Sequence, residues 1–349
     1  MTSGSFWHGR RVLLTGHTGF KGSWLALWLL RAGAEVTGFS LQAPERSLFR
    51  AARLSDDMAS ITGDVRDRDA VEAATRRARP EVVLHLAAQP LVRQSYAEPV
   101  ETYATNIMGT VHVLQAARSA PDLRVALVVT SDKCYDNHDG DGGYREEAPM
   151  GGADPYASSK GAAELVTAAY RNSYFADPGG PRVASARAGN VIGGGDWAVD
   201  RLVPDAVRAF AAARALHVRN PQAVRPWQHV LNCLDGYLLL AERLHDDPAL
   251  AGGWNFGPPD TDARSVEWIV ERLCHAWGDG AAWEADPGPH PPEAHTLRLD
   301  SSKARAQLGW APRWDLPEAL ERVVAWHRAE RDGADARELT LAQLADYRG

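Results

Sequence analysis

Through the first half of the chain, short wholly apolar runs alternate with longer stretches whose apolar positions recur at helical spacing. Residues 11–15 read as a strand, 22–32 as a helix and 35–39 as a second strand, and a third strand-like stretch precedes Gly63. The alternation resumes with a strand at 82–86, a helix over 102–118 and a strand at 124–130. Strand, helix, strand in repetition predicts βαβ units and a parallel sheet. Val125-Ala-Leu-Val-Val129 has no polar position, as suits a strand covered by helices on both faces. Beyond Ala184, glycines and prolines interrupt shorter helices at 193–195, Pro221, Pro226, 258–259 and 286–292. That texture predicts a smaller, ligand-covering lobe. An apolar helix near 233–243 and a strand near 254–256 are expected to return to the sheet. The predicted division is therefore 1–188, with return segments near 226–258, for the sheet domain, and 189–225 with 259–349 for the lobe.

With 349 residues, 45% of them hydrophobic, the chain is long enough for two adjoining cores. A net charge of −7 and a pI near 6.0 leave no basic footprint for nucleic acid or an anionic membrane surface. An anionic ligand must then be held locally. The longest apolar stretch, 24–30, stops at Arg31, far short of a bilayer span. The segment MTSGSFWHGR carries no apolar signal core. Cys134, Cys233 and Cys274 are isolated thiols with no C-x-x-C pairing, which suits a reducing compartment. A cytoplasmic protein that neither enters nor crosses a membrane is expected.

The first strand runs directly into Thr15-Gly-His-Thr-Gly-Phe-Lys-Gly22 and then a helix. Gly16 permits the tight turn, Gly19 allows backbone N–H groups to approach a pyrophosphate, and Gly22 allows close packing; Thr18 and Phe20 sit between them. The helix N-terminus favours the anion. Strand, glycine-rich turn and helix predict dinucleotide binding in a Rossmann-type doubly wound parallel α/β sheet. The second strand ends Gly38-Phe-Ser40, without the acid usual about 20 residues on at the ribose 2′-hydroxyl. Ser40 can bond a free hydroxyl, and no arginine follows until Arg46, which favours NAD. Asp64, before Val65, either meets the adenine amino group or caps a helix over 66–77. Leu86, Ala87 and Ala88 are small enough for backbone to lie against the cofactor, and His85 reads as a packed strand residue.

Tyr156 and Lys160 stand four apart in a helical pattern, on one face. A lysine cation there is expected to lower the phenol pKa, so that a tyrosinate can take the proton of a sugar hydroxyl as hydride leaves the same carbon. Thr130-Ser-Asp-Lys133 closes a buried strand at the end where such sheets bind ligands. Ser131, 25 residues before Tyr156, completes with Tyr156 and Lys160 a set that resembles the triad of the short-chain dehydrogenase/reductase superfamily. The full length resembles its extended, sugar-nucleotide branch. Within that branch, T-G-H-T-G-F-K-G at 15–22, T-S-D-K-C-Y-D-N at 130–137 and R-A-G-N-V-I-G-G-G-D-W at 187–197 are similar to CDP-glucose 4,6-dehydratases. So are Asn220-Pro221, R-P-W-Q-H-V at 225–230, W-N-F-G at 254–257, the 290–295 stretch, and Asp300-Ser-Ser-Lys303 on to Gly309-Trp310.

The resemblance implies oxidation at C4 of CDP-glucose or a related nucleotide sugar, loss of water across C5 and C6, and return of the hydride to C6 with NAD recycled. Asp132 is the expected acid for the departing hydroxyl, which requires a raised pKa. Lys133 is the expected base or enolate-stabilising group, where dTDP-glucose 4,6-dehydratases carry Glu; an Asp132–Lys133 ion pair at the strand end is the structural alternative. Gln89, Asn190, Arg225, Asn255, Glu293 and His295 are expected to hold the sugar nucleotide, Arg225 gripping diphosphate oxygens. His290, Glu293 and His295 read as a nucleotide-contacting loop, and no metal is expected. The family pairs subunits where helices 102–118 and 161–170 lie, so a homodimer is implied. A 4-epimerase of the same branch has no use for an acid at C6, and a non-catalytic dinucleotide sensor has none for Tyr156 with Lys160.

Overall fold

The computed structural model describes residues 4–138, 140, 142–286, 288 and 296–349. Six strands alternate with helices in the first half: β1 (Arg11–Thr15), β2 (Glu35–Ser40), β3 (Ala59–Thr62), β4 (Val82–His85), β5 (Val125–Val129) and β6 (Arg182–Arg187). Then come β7 (Asn190–Ile192), β8 (Leu216–Val218), β9 (Val224–His229), β10 (Gly253–Asn255), β11 (Ala263–Ser265) and β12 (Trp283–Ala285). The main sheet has the order β10-β6-β5-β4-β1-β2-β3, with every neighbouring pair parallel. The order reverses between β1 and β4, which opens a crevice at their carboxyl ends.

Helices cover both faces. On one, Phe20–Arg31 and Val230–Asp246 contribute Trp24, Trp28, Leu234 and Leu238 to a core that also holds Leu14, Leu84 and Leu127. On the other, Arg68–Ala78 and Gly109–Arg118 pack Val71, Ala74, Val113 and Leu114 against Leu13, Val83 and Ala126. All five residues of β5 are buried, as expected for a strand between two helical layers. A second core, with Val203, Phe210, Trp227, Ile269, Leu273 and Val323, belongs to the lobe. There β11-β9-β7 form one small sheet and β12-β8 another.

Three details differ from the sequence-based expectation. The 102–118 helix is three joined pieces, Pro99–Tyr103, a wide π-type turn at Ala104–Met108, and Gly109–Arg118. Residues 226–229 stay in the lobe sheet, and the return to the main sheet starts with the Val230–Asp246 helix. The last helix, Ala336–Arg348, leaves the lobe: Tyr347 meets Trp28 edge-on at 5.9 Å and joins the main core. No helix among the described residues is long and apolar enough to cross a membrane.

Candidate active site

A cavity of about 920 Å³ opens at the carboxyl ends of β1, β4 and β5, between the sheet and the lobe. Its floor is the first turn. Gly16 takes a positive φ of 76°, and a Cβ there would stand 2.7 Å from the Ala87 backbone nitrogen. A Cβ on Gly22 would run into the Gly16 carbonyl, so only glycine lets the Phe20–Arg31 helix start this close to the turn. Thr15 Oγ1 shares a 2.7 Å hydrogen bond with His85 Nδ1 and accepts from the Leu86 and Ala87 nitrogens at 3.2 Å. The two turns at the switch point are thus tied together. Burial, with a smaller push from the Lys160 charge, lowers the His85 pKa to about 3, leaving a neutral, packed imidazole.

Gly16, Thr18, Gly19, Phe20, Gly22, Ser40, Asp64, Val65, Leu86, Ala87 and Ala88 all line this cavity. Thr18 and Ser40 hydroxyls are 2.8 Å apart. Arg46 is turned aside, over the Trp197 ring at 5.0 Å and against Glu330 at 3.4 Å. Asp64 is occupied: its carboxylate accepts from Arg66 Nε and backbone N, both at 2.9 Å, and from Nη2 at 2.6 Å. It caps no helix, because that helix begins at Arg68 and its cap is Asp67, which accepts from the Ala70 nitrogen at 3.0 Å. The glycine floor, the helix N-terminus and the open crevice fit a dinucleotide.

The reactive cluster lies deeper. Ser131, Asp132, Lys133, Tyr156 and Lys160 all line the cavity, and Lys133 alone is only half-buried. Ser131 caps the short turn Asp132–Cys134 by accepting from the Lys133 nitrogen at 3.2 Å, and its hydroxyl donates to Asp132 Oδ1 at 3.0 Å. Asp132 Oδ2 is buried with no hydrogen-bond partner among the described residues. Burial pushes the Asp132 carboxyl pKa up, against the pull of Lys133, the Ser131 hydroxyl, Arg225 and Lys21. Tyr156 and Lys160 face this group from the helix Pro155–Tyr174, whose start is fixed by Pro155 and by Asp154 accepting from the Ala157 nitrogen at 2.8 Å.

The expected lowering of the Tyr156 pKa by Lys160 does not prevail. Burial pushes the phenol up to about 12, with the Ser131 hydrogen bond the strongest opposing pull. Lys160 moves the other way: burial and the like charge of Lys21 lower it to about 8. Lys21, within the glycine-rich turn, is a further cation of the site that spacing alone does not mark. It lines the cavity from the first turn of the Phe20–Arg31 helix, and burial lowers its pKa, with Asp132 and Asp196 among the charges facing it. Its signal is a lysine between Phe20 and Gly22 at the head of a helix that is apolar from Trp24 to Leu30.

The substrate side is mixed. Asn190 and Arg225 line the cavity from β7 and β9. Gln89 and Asn255 do not. The Gln89 side chain is spent on its own loop, donating to Leu91 O at 3.0 Å and Thr102 Oγ1 at 2.9 Å. Asn255 is fully buried, accepting from Tyr135 OH at 2.6 Å and donating to the Tyr144 and Asp300 carbonyls at 2.8 and 3.0 Å. Both are held by the fold, because the two N–H donors of each amide are already taken by protein acceptors. Glu293 and His295, like His290, lie outside the described residues. Arg93, Arg201 and Arg219 add cations to the cavity wall that the sequence did not single out. Among the described residues no three His, Cys, Asp or Glu converge as a metal site.

The chain is similar to known proteins over nearly its whole length. A CDP-glucose 4,6-dehydratase of Salmonella typhimurium is 52% identical, over 99% of this chain and 98% of its own. A UDP-glucose 4-epimerase of Mycolicibacterium smegmatis is 28% identical, over 91% of this chain and 98% of its own. Among solved structures, a dTDP-glucose 4,6-dehydratase of Streptomyces venezuelae with NAD and TYD bound shares the fold at a TM-score of 0.77 and 24% identity, covering 94% of this chain and 99% of its own. A UDP-glucose 4-epimerase of Thermus thermophilus in complex with NAD gives a TM-score of 0.78 at 25% identity, covering 91% and 99%. The model of the GDP-mannose 4,6 dehydratase family matches residues 13–323, from β1 through the reactive cluster and into the lobe, and the chain belongs to that family.

Proposed function

We propose that this protein is an NAD-dependent lyase that converts CDP-glucose to CDP-4-dehydro-6-deoxyglucose and water. The observation that carries the proposal is the buried Asp132 carboxyl, one oxygen unpartnered, beside Ser131 and Tyr156. A 4-epimerase needs the hydroxyl, phenol and lysine but no acid for a leaving hydroxyl. The 52% identity to the Salmonella CDP-glucose 4,6-dehydratase supports cytidine as the base. The glycine floor, Ser40 and an Arg46 held away by Trp197 and Glu330 support NAD over its 2′-phosphorylated form.

NAD, when bound, supplies the hydride acceptor and the positive charge of its oxidised ring. Tyr156, facing Ser131 and set one turn from Lys160, takes the C4 hydroxyl proton as hydride leaves C4. The ketone at C4 acidifies the C5 proton. Lys133, beside Asp132, takes that proton, or its cation stabilises the enolate while another group takes the proton, and Asp132 protonates the C6 hydroxyl, which leaves as water. A carboxyl raised by burial stays protonated for this step at a pH where an exposed aspartate is ionised. The hydride taken from C4 is returned at C6 as the base that took the C5 proton gives one back to C5, so the cofactor and the base end as they began. Arg225 and Asn190 hold the diphosphate and sugar.

A homodimer in the cytoplasm is the setting this supports. Val100, Met108, Leu165 and Tyr174 are exposed apolar side chains on two neighbouring segments, 99–108 and 155–174, joined by Tyr103 OH to Ser158 Oγ at 2.8 Å. The three cysteines are unpaired. Incubation with CDP-, dTDP-, UDP- and GDP-glucose, followed by mass spectrometry, tests the proposal. Loss of water from CDP-glucose without net consumption of NAD is expected; no loss of water from any of the four refutes it.

A further inference from the structure

The two residues between β6 and β7 are Ala188 and Gly189, and they form the wall on which Asp132 rests. The Asp132 nitrogen donates to Ala188 O at 3.1 Å, and its Oδ2 lies over Gly189. A Cβ on Gly189 would stand 2.9 Å from Asp132 Oδ2, 2.5 Å from Pro226 Cγ and 2.8 Å from Pro226 O. Gly189 does not take a positive φ, so its backbone could belong to any residue. Space, not conformation, is what requires glycine here.

We propose that Gly189 is a positioning residue for water elimination, its missing Cβ leaving the room in which the Asp132 carboxyl lies. Of the three atoms a methyl group would meet, two belong to Pro226. Pro226 is buried in β9, whose backbone pairs with β11 on one side and β7 on the other. The Asp132 main chain is held to Ala188, but its carboxyl is the end of a short side chain that can rotate. The carboxyl turns aside, losing its 3.0 Å contact with the Ser131 hydroxyl, and the 188–189 main chain shifts from Pro226, carrying Asp132 with it through the hydrogen bond to Ala188 O. The three atoms nearest the new methyl belong to Pro226 and Asp132, and none to Ser131, Tyr156 or Lys160. Oxidation at C4 is left in place while the acid for C6 is displaced. A shift of about 1 Å in a reacting group costs about 10²-fold in rate.

This placement rests on Asp132 as the acid proposed above, so wild-type turnover is measured first; absence of water loss there sinks the dehydratase function and not Gly189 in particular. The test is a single turnover of CDP-glucose by Gly189→Ala enzyme loaded with NAD, following the near-ultraviolet absorbance of reduced nicotinamide and the loss of water by mass spectrometry. Reduced nicotinamide should appear at a rate close to wild type and persist, while water loss falls about 10²-fold. In an Asp132→Asn background Gly189→Ala should cost nothing further, a non-additivity that a general loosening of the fold would not produce. Wild-type water loss in Gly189→Ala, oxidation and water loss falling together, or full additivity with Asp132→Asn would each overturn the proposal. If the single variant does not fold, Gly189→Ala with Pro226→Ala removes the colliding ring carbon and keeps the methyl beside Asp132; a stall after oxidation supports the proposal, and normal or uniformly reduced turnover overturns it.

Discussion

Replacing Glu164 by glutamine removes the charge at the centre of the buried network behind the reactive cluster. Glu164 stands one turn beyond Lys160 and is 4% exposed. Its carboxylate accepts from Thr130 Oγ1 at 2.5 Å, Ser185 Oγ at 2.6 Å and Arg187 Nη2 at 2.7 Å. Arg187, equally buried, spends its other terminal nitrogen on Tyr135 OH at 2.7 Å and Glu146 O at 3.0 Å. Burial pushes the Glu164 carboxyl up, but Arg187 with the Ser185 and Thr130 hydroxyls outweighs it and holds the group below the usual carboxylate range. Glu164→Gln keeps the volume, leaves the Arg187 charge uncompensated, and turns an amide NH2 towards one of three donors. Removing one partner of a buried ion pair costs about 3–5 kcal/mol. At about 2 °C per kcal/mol for a chain of this size, Tm should fall by about 6–10 °C. Urea unfolding followed by tryptophan fluorescence measures the loss, with Trp254 buried next to the network. The sign with pH is fixed too. A depressed carboxyl stabilises the fold above its unfolded pKa and loses that contribution as pH falls through its folded value. Wild type and Glu164→Gln should therefore converge in acid. A loss below about 1 kcal/mol at neutral pH, or a gap that does not narrow in acid, would refute the account of Glu164 as the charged hub.

Two further expectations concern the chemistry. Asp132→Asn should stall after oxidation with reduced cofactor on the enzyme, whereas Tyr156→Phe should prevent oxidation; equal residual water loss in both, measured by mass spectrometry, would contradict the division of roles. Lys160, lowered to about 8 by burial and by Lys21, holds its proton below that pH and loses it above. The single-turnover oxidation rate should fall as pH rises through about 8, and a rate that stays level a full unit higher would show that the Lys160 cation is not needed.

How much of this the sequence disclosed depended on whether the deciding contact was near in the chain or far. The first turn was legible because strand, glycines and helix are contiguous: β1 begins and ends at 11 and 15 as the apolar run does, and Gly16 and Gly22 are demanded by neighbours within a few residues or at the adjacent β4 turn. Ser131, Tyr156 and Lys160 were legible as a set because one strand end and one helix face bring them together. Asn255 was not. A polar residue closing a strand looks alike whether it faces a ligand or satisfies Tyr135, more than a hundred positions earlier, and the Asp300 carbonyl further on. Gln89 failed in the same way, through Thr102 on the 99–103 helix. Asp64 and Asp67 lie three apart, and only the backbone decides that Asp67 caps the helix while Asp64 takes Arg66. The wide turn at 104–108 keeps helical periodicity on both sides and so left no mark, yet it puts Asn106 where it accepts from the Gln89 nitrogen at 2.8 Å and donates to Ser159 at 2.8 Å. Ser159 in turn donates to the Tyr156 carbonyl at 2.7 Å.

The phenol of Tyr156 shows where the limit lies in energetic rather than geometric terms. Spacing alone supplies the Lys160 cation one turn away and so suggests a lowered pKa; it cannot supply the low-dielectric surroundings of a side chain 9% exposed. Desolvation of the phenolate, with Asp132 and Asp154 pushing the same way, outweighs the hydroxyl of Ser131 and the Arg201 charge, and the pKa rises to about 12. The same burial raises Asp132, which elimination requires, and lowers Lys160, which oxidation must tolerate. Burial thus favours the neutral form of all three groups: it suits Asp132 as the proposed acid outright, and it leaves Tyr156, as the proposed base, dependent on positive charge brought close to the phenol.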